Sequence, residues 1–288
     1  MPRKNFFKST PFYILLTLAI LGFFVIYPLI QMFIETREDV PILVYHDIMV
    51  ESNERINLTT QEFSEQMKFL KDEEYSVITI DQLLDAWQNG SELPKNPVVI
   101  TFDGGYIGVF ERAFPILQEY QYPATIFVAA NPIGTNKRYM NWDQVREMQA
   151  SGLIDIESNT SNRRAVTKLG SKSVERYTLT NSKQSIEWNL HTPVKYVAYP
   201  LGVYDLETLE LSRNAGYRAG FTIEYGFAHK NPQAFVFDRI PIFENGSLTM
   251  LRFQIRLKYA PIVKEMKSIR DIFESGGYEF LSNFIPVP

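Results

Sequence analysis

The sequence predicts an α/β fold in which parallel strands close, or nearly close, into a (β/α) barrel. Three observations point there. Short, nearly continuous apolar runs rich in β-branched residues alternate with amphipathic helical patterns. The runs lack the polar alternation of a half-solvated sheet, so both faces are buried. They also recur about seven times, enough to curl a sheet on itself.

The elements follow in order. The run PILVYHDI (41–48) precedes a helical pattern from Phe63 to Glu74, and SVITI (76–80) precedes one from Gln82 to Gln88. PVVITFD (97–103) leads into Val109 to Tyr120, ATIFVAA (124–130) into Trp142 to Ala150, and LIDIES (153–158) into Ser173 to Leu190. KYVAYP (195–200) is followed by Leu206 to Ala215, then RAGFTI (218–223). A last helix is expected from Ser247 to Ala260, with a tail to Pro288. No repeat or linker divides this part, so one domain is expected over 35–288.

Ahead of it, Phe12 to Ile34 is an uncharged apolar stretch of about 23 residues, long enough to span a hydrocarbon core of about 30 Å. Arg3, Lys4 and Lys8 precede it, and Glu35, Glu38 and Asp39 follow with Arg37 alone against them. The positive-inside rule then gives a cytoplasmic stub at 1–11, a transmembrane anchor at 12–34 and an extracytoplasmic domain. The competing reading is a cleaved signal peptide, whose apolar stretch would be shorter and would end in an A-x-A site that this sequence lacks.

The chain has no Cys and a net charge of -4, with 45% hydrophobic residues. These values argue against disorder and against nucleic acid as a partner. They also remove thiolates as ligands or nucleophiles. The histidines are His46, His191 and His229. His46 ends a strand; the other two fall in loops.

Function in such a barrel sits at the carboxyl ends of the strands. Thr101-Phe102-Asp103-Gly104-Gly105-Tyr106 puts a carboxylate at such an end, with two glycines behind it for a sharp turn or close ligand approach. The plainer role for Asp103 is to cap the helix beginning near Gly108. Other strand ends carry Tyr45-His46-Asp47, Glu157-Ser158-Asn159-Thr160 and Tyr199-Pro200-Leu201-Gly202. Tyr106, Tyr199 and Tyr204 could stack on sugar faces, with Trp142 and Tyr225 behind them, while Phe110, Phe114 and Trp188 read as helix packing. Pro200 and Gly202 shape the loop bearing two of these tyrosines.

With YHDI, TFDGGY, FPILQEYQYPATIFV, GLIDIESNT, VAYPLG and DRIPI in this order, the sequence resembles the polysaccharide deacetylases of the NodB-homology, carbohydrate esterase 4 type. Among these it is most similar to the intercellular-adhesin and poly-N-acetylglucosamine deacetylases of biofilm exopolysaccharide systems. The resemblance runs from about Pro41 to Ile242. It implies a distorted (β/α) barrel and removal of N-acetyl groups with a divalent metal such as zinc.

It also implies that Asp103 is the general base and that Arg239, placed before an apolar strand, orients it. The family's three metal ligands fall on Gly104, on Asn159 and on Arg163 or Arg164, none of which is a metal ligand of the usual kind. The resemblance therefore implies a site without its cofactor, with Arg163 and Arg164 offering fixed positive charge instead. Zinc can lower the pKa of bound water from about 15.7 to about 7, up to roughly 12 kcal/mol at about 1.36 kcal/mol per unit. A lone carboxylate base supplies only about 10² to 10⁴ in rate. An unusual ligand set from Asp103, Asp47, Glu157 and His46 stays open.

The resulting expectation is a membrane-tethered polysaccharide deacetylase homologue with impaired catalysis, whose partners are an N-acetylglucosamine polymer and a polysaccharide synthase. The alternatives are an active deacetylase with a rearranged or absent metal site, and a scaffold that binds no glycan.

Overall fold

A computed structural model describes residues 39–51, 56–162, 164–168, 171–230, 234–243 and 248–275. The expected anchor at 12–34 and the stub before it lie outside these residues. Among the described residues no helix is long and apolar enough to cross a membrane.

The expected alternation is present, and the ring closes. Strands β1 (Ile42–Tyr45), β5 (Pro97–Gly104), β6 (Ala124–Val128), β7 (Ile154–Ser158), β8 (Tyr196–Ala198), β9 (Ala219–Tyr225) and β10 (Phe237–Pro241) pair in parallel, and β1 joins both β10 and β5. The register across the closing seam is Leu43 opposite Ile240 on one side and Leu43 opposite Ile100 on the other.

Seven strands form the ring, as expected, but one differs. SVITI yields only the two-residue β4 (Ser76–Val77), which pairs with the first residues of β5. The chain then turns into α2 (Ile80–Asn89), because Thr79 accepts a hydrogen bond from the Gln82 N–H while the Gln82 side chain accepts from the Thr79 N–H. That capping box ends the strand. The seventh place goes to β10, so Arg239 lies inside a strand rather than ahead of one.

Between these strands run α1 (Thr60–Asp72), α3 (Phe114–Tyr120), entered through a π-helical turn at Val109–Ala113, α4 (Trp142–Ala150), α5 (Lys172–Leu190) and α6 (Leu206–Asn214). A short pair, β2 (Ile48–Met49) and β3 (Leu58–Thr59), precedes α1. The final helix α7 (Thr249–Ser275) is longer than expected and breaks its helical geometry at Tyr259.

Two apolar layers result. Ile42, Val99, Phe127, Tyr196, Phe221 and Phe237 fill the barrel, and Ile80, Leu83 and Trp87 of α2 pack on them at the strands' amino-terminal ends. The outward strand residues, among them Leu43, Ile100, Ile126 and Ile240, pack under the helices. With that end covered by α2, a ligand's access is left to the carboxyl ends.

Candidate active site

Alternation along β5 turns Val99, Thr101 and Asp103 to the same face, so a strand buried almost throughout carries two polar groups into the barrel. Asp103 is 5% exposed and meets Arg239, which is fully buried. The guanidinium grips it as a fork, with Nη1 donating to Oδ1 at 2.8 Å and Nη2 to Oδ2 at 2.6 Å. Arg239 is itself fixed: Nε donates to the Thr222 carbonyl at 2.7 Å, Nη1 also donates to Thr101 Oγ1 at 3.1 Å, and the Phe127 ring lies 5.4 Å away. Thr101 in turn donates to the Leu43 carbonyl at 2.8 Å. This network ties β1, β5, β9 and β10 together around one carboxylate. The alternation in β5 was a readable signal for Thr101.

Above the pair is a cavity of about 40 Å³ lined by His46, Asp103, Asn159, Pro200, Leu201 and Ile223. It has room for ordered water but is too small to enclose a sugar, so a polymer would lie across its mouth. Leu201 is 65% exposed with φ +58, an uncommon conformation for a side chain that wide, and it forms an apolar lip. Neither Leu201 nor Ile223 stands out in the sequence, since apolar residues at strand ends read as core.

The other expected site residues scatter. Tyr106 is 1% exposed, stacked on Tyr139 at 5.2 Å with Arg138 over its ring. Tyr199 is fully buried and its hydroxyl points at Gly220, where a Cβ would come within 2.3 Å of it. Neither ring presents a face to solvent, which corrects the expectation that they stack on sugars. Tyr204 packs half-buried against Tyr199. Trp142 and Tyr225 likewise lean on the core. Arg164 is exposed and not part of the cavity lining, and Arg163 lies outside the described residues. His191 takes a left-handed conformation where α5 ends, a capping role.

The residues present do not fit a divalent metal, which wants about three converging N, O or S side chains. Gly104 offers none. The Asn159 amide donates to the Ala198 carbonyl at 3.0 Å, and both Asp103 oxygens already face a fixed cation. Of the unusual set, only His46 and Asp103 share the cavity. Glu157 turns away, its Oε2 accepting the backbone N–H of Lys195 and Tyr196, and burial raises its carboxyl well above the usual range. Asp47 faces a neighbouring depression. Among the described residues no group of three His, Asp or Glu gathers for a metal ion.

What remains is a buried, oriented carboxylate able to accept a hydrogen bond from water, a hydroxyl or an amide N–H at the cavity mouth.

Comparison with known proteins agrees with this architecture. Residues 90–220 match the model of the polysaccharide deacetylase family. YxkH of Bacillus subtilis, whose name places it with the polysaccharide deacetylases, is 30% identical over 208 residues, 72% of this chain and 73% of that one. The poly-beta-1,6-N-acetyl-D-glucosamine N-deacetylase of Staphylococcus epidermidis is 27% identical, covering 68% of this chain and 71% of its own. Among solved structures, the Streptococcus pyogenes deacetylase PplD, in complex with acetate, aligns at a TM-score of 0.68 and 27% identity over 74% of this chain and 97% of its own. IcaB from Ammonifex degensii aligns at 0.66 and 23% identity over 76% and 97%, a likeness of fold.

Proposed function

Because the chain belongs to the polysaccharide deacetylase family, we propose that its barrel mouth binds an N-acetylglucosamine-type exopolysaccharide without carrying out the family's metal-assisted hydrolysis. The observation that carries this reading is the Asp103–Arg239 fork standing beside Gly104 and Asn159. The carboxylate keeps its orientation and its access to the cavity, while the positions that would hold an ion beside it have no fitting donor. An oriented acceptor in a mostly apolar cavity serves recognition as well as it would serve catalysis. The relatives named for N-acetylglucosamine polymers support the choice of glycan.

The protein works at the outer face of the membrane, held by residues 12–34, where it retains nascent polymer beside its synthase. The test is calorimetric titration of the full chain, in detergent micelles, with N-acetylglucosamine oligomers. The expected result is saturable binding that Asp103→Ala weakens about tenfold, the size of a charged hydrogen bond. Wild-type protein that binds no oligomer would leave a scaffold rather than a glycan-binding domain.

A further inference from the structure

Helix α5 returns from the carboxyl end of β7 to the amino end of β8, so it runs down the outer wall of the barrel, away from the mouth. Leu179, Ser182, Ile186 and Leu190 make its buried side. On the opposite side stand Trp188, 81% exposed, and Tyr177, 65% exposed, with Val174 a turn ahead of them. The helical repeat assigns Trp188 to packing, and the structure corrects this. The two rings are about three helical turns apart, so they lie on one line along the helix, separated by about 16 Å. Trp188 falls two residues before the helix ends, at the far end of the barrel from Asp103.

What separates this face from an ordinary solvated one is its lack of charge. Asn181, Gln184 and Ser185 fill the line between the rings. The helix's charges sit on its flank, where Lys172 pairs with Glu207, Lys183 pairs with Glu187, and Arg176 lies beside them. A lipid surface would require a continuous apolar face edged by basic residues, and a protein groove would require apolar anchors at successive turns. Here the turns between the rings carry amides and a hydroxyl instead.

That combination narrows the ligand. A carboxamide donates and accepts at once, which matches the acetamido and hydroxyl groups of a neutral N-acylated sugar, and exposed aromatic rings match the apolar faces of its pyranoses. An uncharged face sets no charge mismatch against an uncharged polymer. Rings three turns apart span several linked sugars, so the ligand is a chain rather than a single unit.

We propose that this face of α5 is a second binding site for the N-acylated sugar polymer, remote from the mouth, with Tyr177 and Trp188 stacking on its rings and Asn181 and Gln184 hydrogen-bonding its amides. The choice of polymer rests on the glycan-binding reading of the barrel mouth. The experiment follows acrylamide quenching of indole fluorescence in the full chain, in micelles, as N-acetylglucosamine hexamer is added, beside calorimetric titration of the same samples. Trp87 is buried and Trp142 half-buried, so Trp188 dominates the quenching, and Trp188→Ala supplies the blank. The hexamer is expected to shield Trp188 equally in wild type and Asp103→Ala, while Tyr177→Ala raises the hexamer concentration needed about fivefold. Quenching that the hexamer leaves unchanged overturns the second site, and heat of binding that Asp103→Ala weakens would then still uphold the mouth. Shielding that is lost in Asp103→Ala also overturns it, because the helix would then meet only polymer held by the mouth. Trp188 already shielded before sugar is added overturns it too, showing that detergent or a second copy covers the face. Neither heat nor shielding in wild type overturns both readings.

Discussion

The central pair at the residue scale is Arg239 and Asp103. A guanidinium and a carboxylate buried together stay favourable only while each satisfies the other, and loss of one strands the partner's charge in a low-dielectric interior. Arg239→Met is therefore expected to lower stability by about 3 to 5 kcal/mol in urea unfolding. Adding Asp103→Leu should recover part of that loss, because the stranded charge is then gone. Losses that simply add would show that the pair does not act as a unit.

Asp103 was legible as the chemical centre because its carboxylate ends an apolar strand. Its partner was legible only through family likeness, since nothing in the local pattern around Arg239 says that it turns inward. The tyrosines misled for a physical reason. An amphipathic ring near a strand end can face the groove or the layer beneath the helices, and only the strand's alternation decides. Tyr199 follows Val197 on the outward face of β8, with Gly220 making room for its hydroxyl.

At the scale of elements, six helices between the strands could be read from periodicity, and Trp142–Ala150 needed no revision at either end. The SVITI segment shows the limit of apolarity as a signal. Its composition is that of a strand, but a capping box from Thr79 to Gln82 starts a helix after two strand residues. The motif was present in the sequence and outranked the β-branched run. Replacing the cap tests this: Thr79→Ala should cost about 1 kcal/mol in thermal or urea unfolding, and an unchanged midpoint would mean that packing alone sets the boundary. The sequence places an apolar strand only after Arg239, because Arg239 and Pro241 interrupt the pattern, whereas β10 begins at Phe237, takes the seventh place in the ring and supplies the site's fixed cation.

At the scale of the whole molecule, a parallel barrel with its site at the strands' carboxyl ends was within reach of the sequence, whereas the packing of α2 over the other end was not. The alternation of elements and the absence of internal boundaries sufficed. What the pattern could not convey is which polar groups converge, because convergence depends on the register across the closing strands. The structure gathers a carboxylate, an imidazole and an amide around a small cavity, sets a buried guanidinium behind the carboxylate, and leaves the remaining acids elsewhere. Such a set offers hydrogen-bonding groups to a ligand but gives a divalent ion little to hold. The most direct measurement is acetate release from an N-acetylglucosamine hexamer by the purified chain, with and without added zinc, beside Asp103→Asn. A barrel mouth that binds the polymer without hydrolysing it predicts release no greater than that of the variant in either condition. Zinc-stimulated release by the wild type that disappears in Asp103→Asn would contradict it.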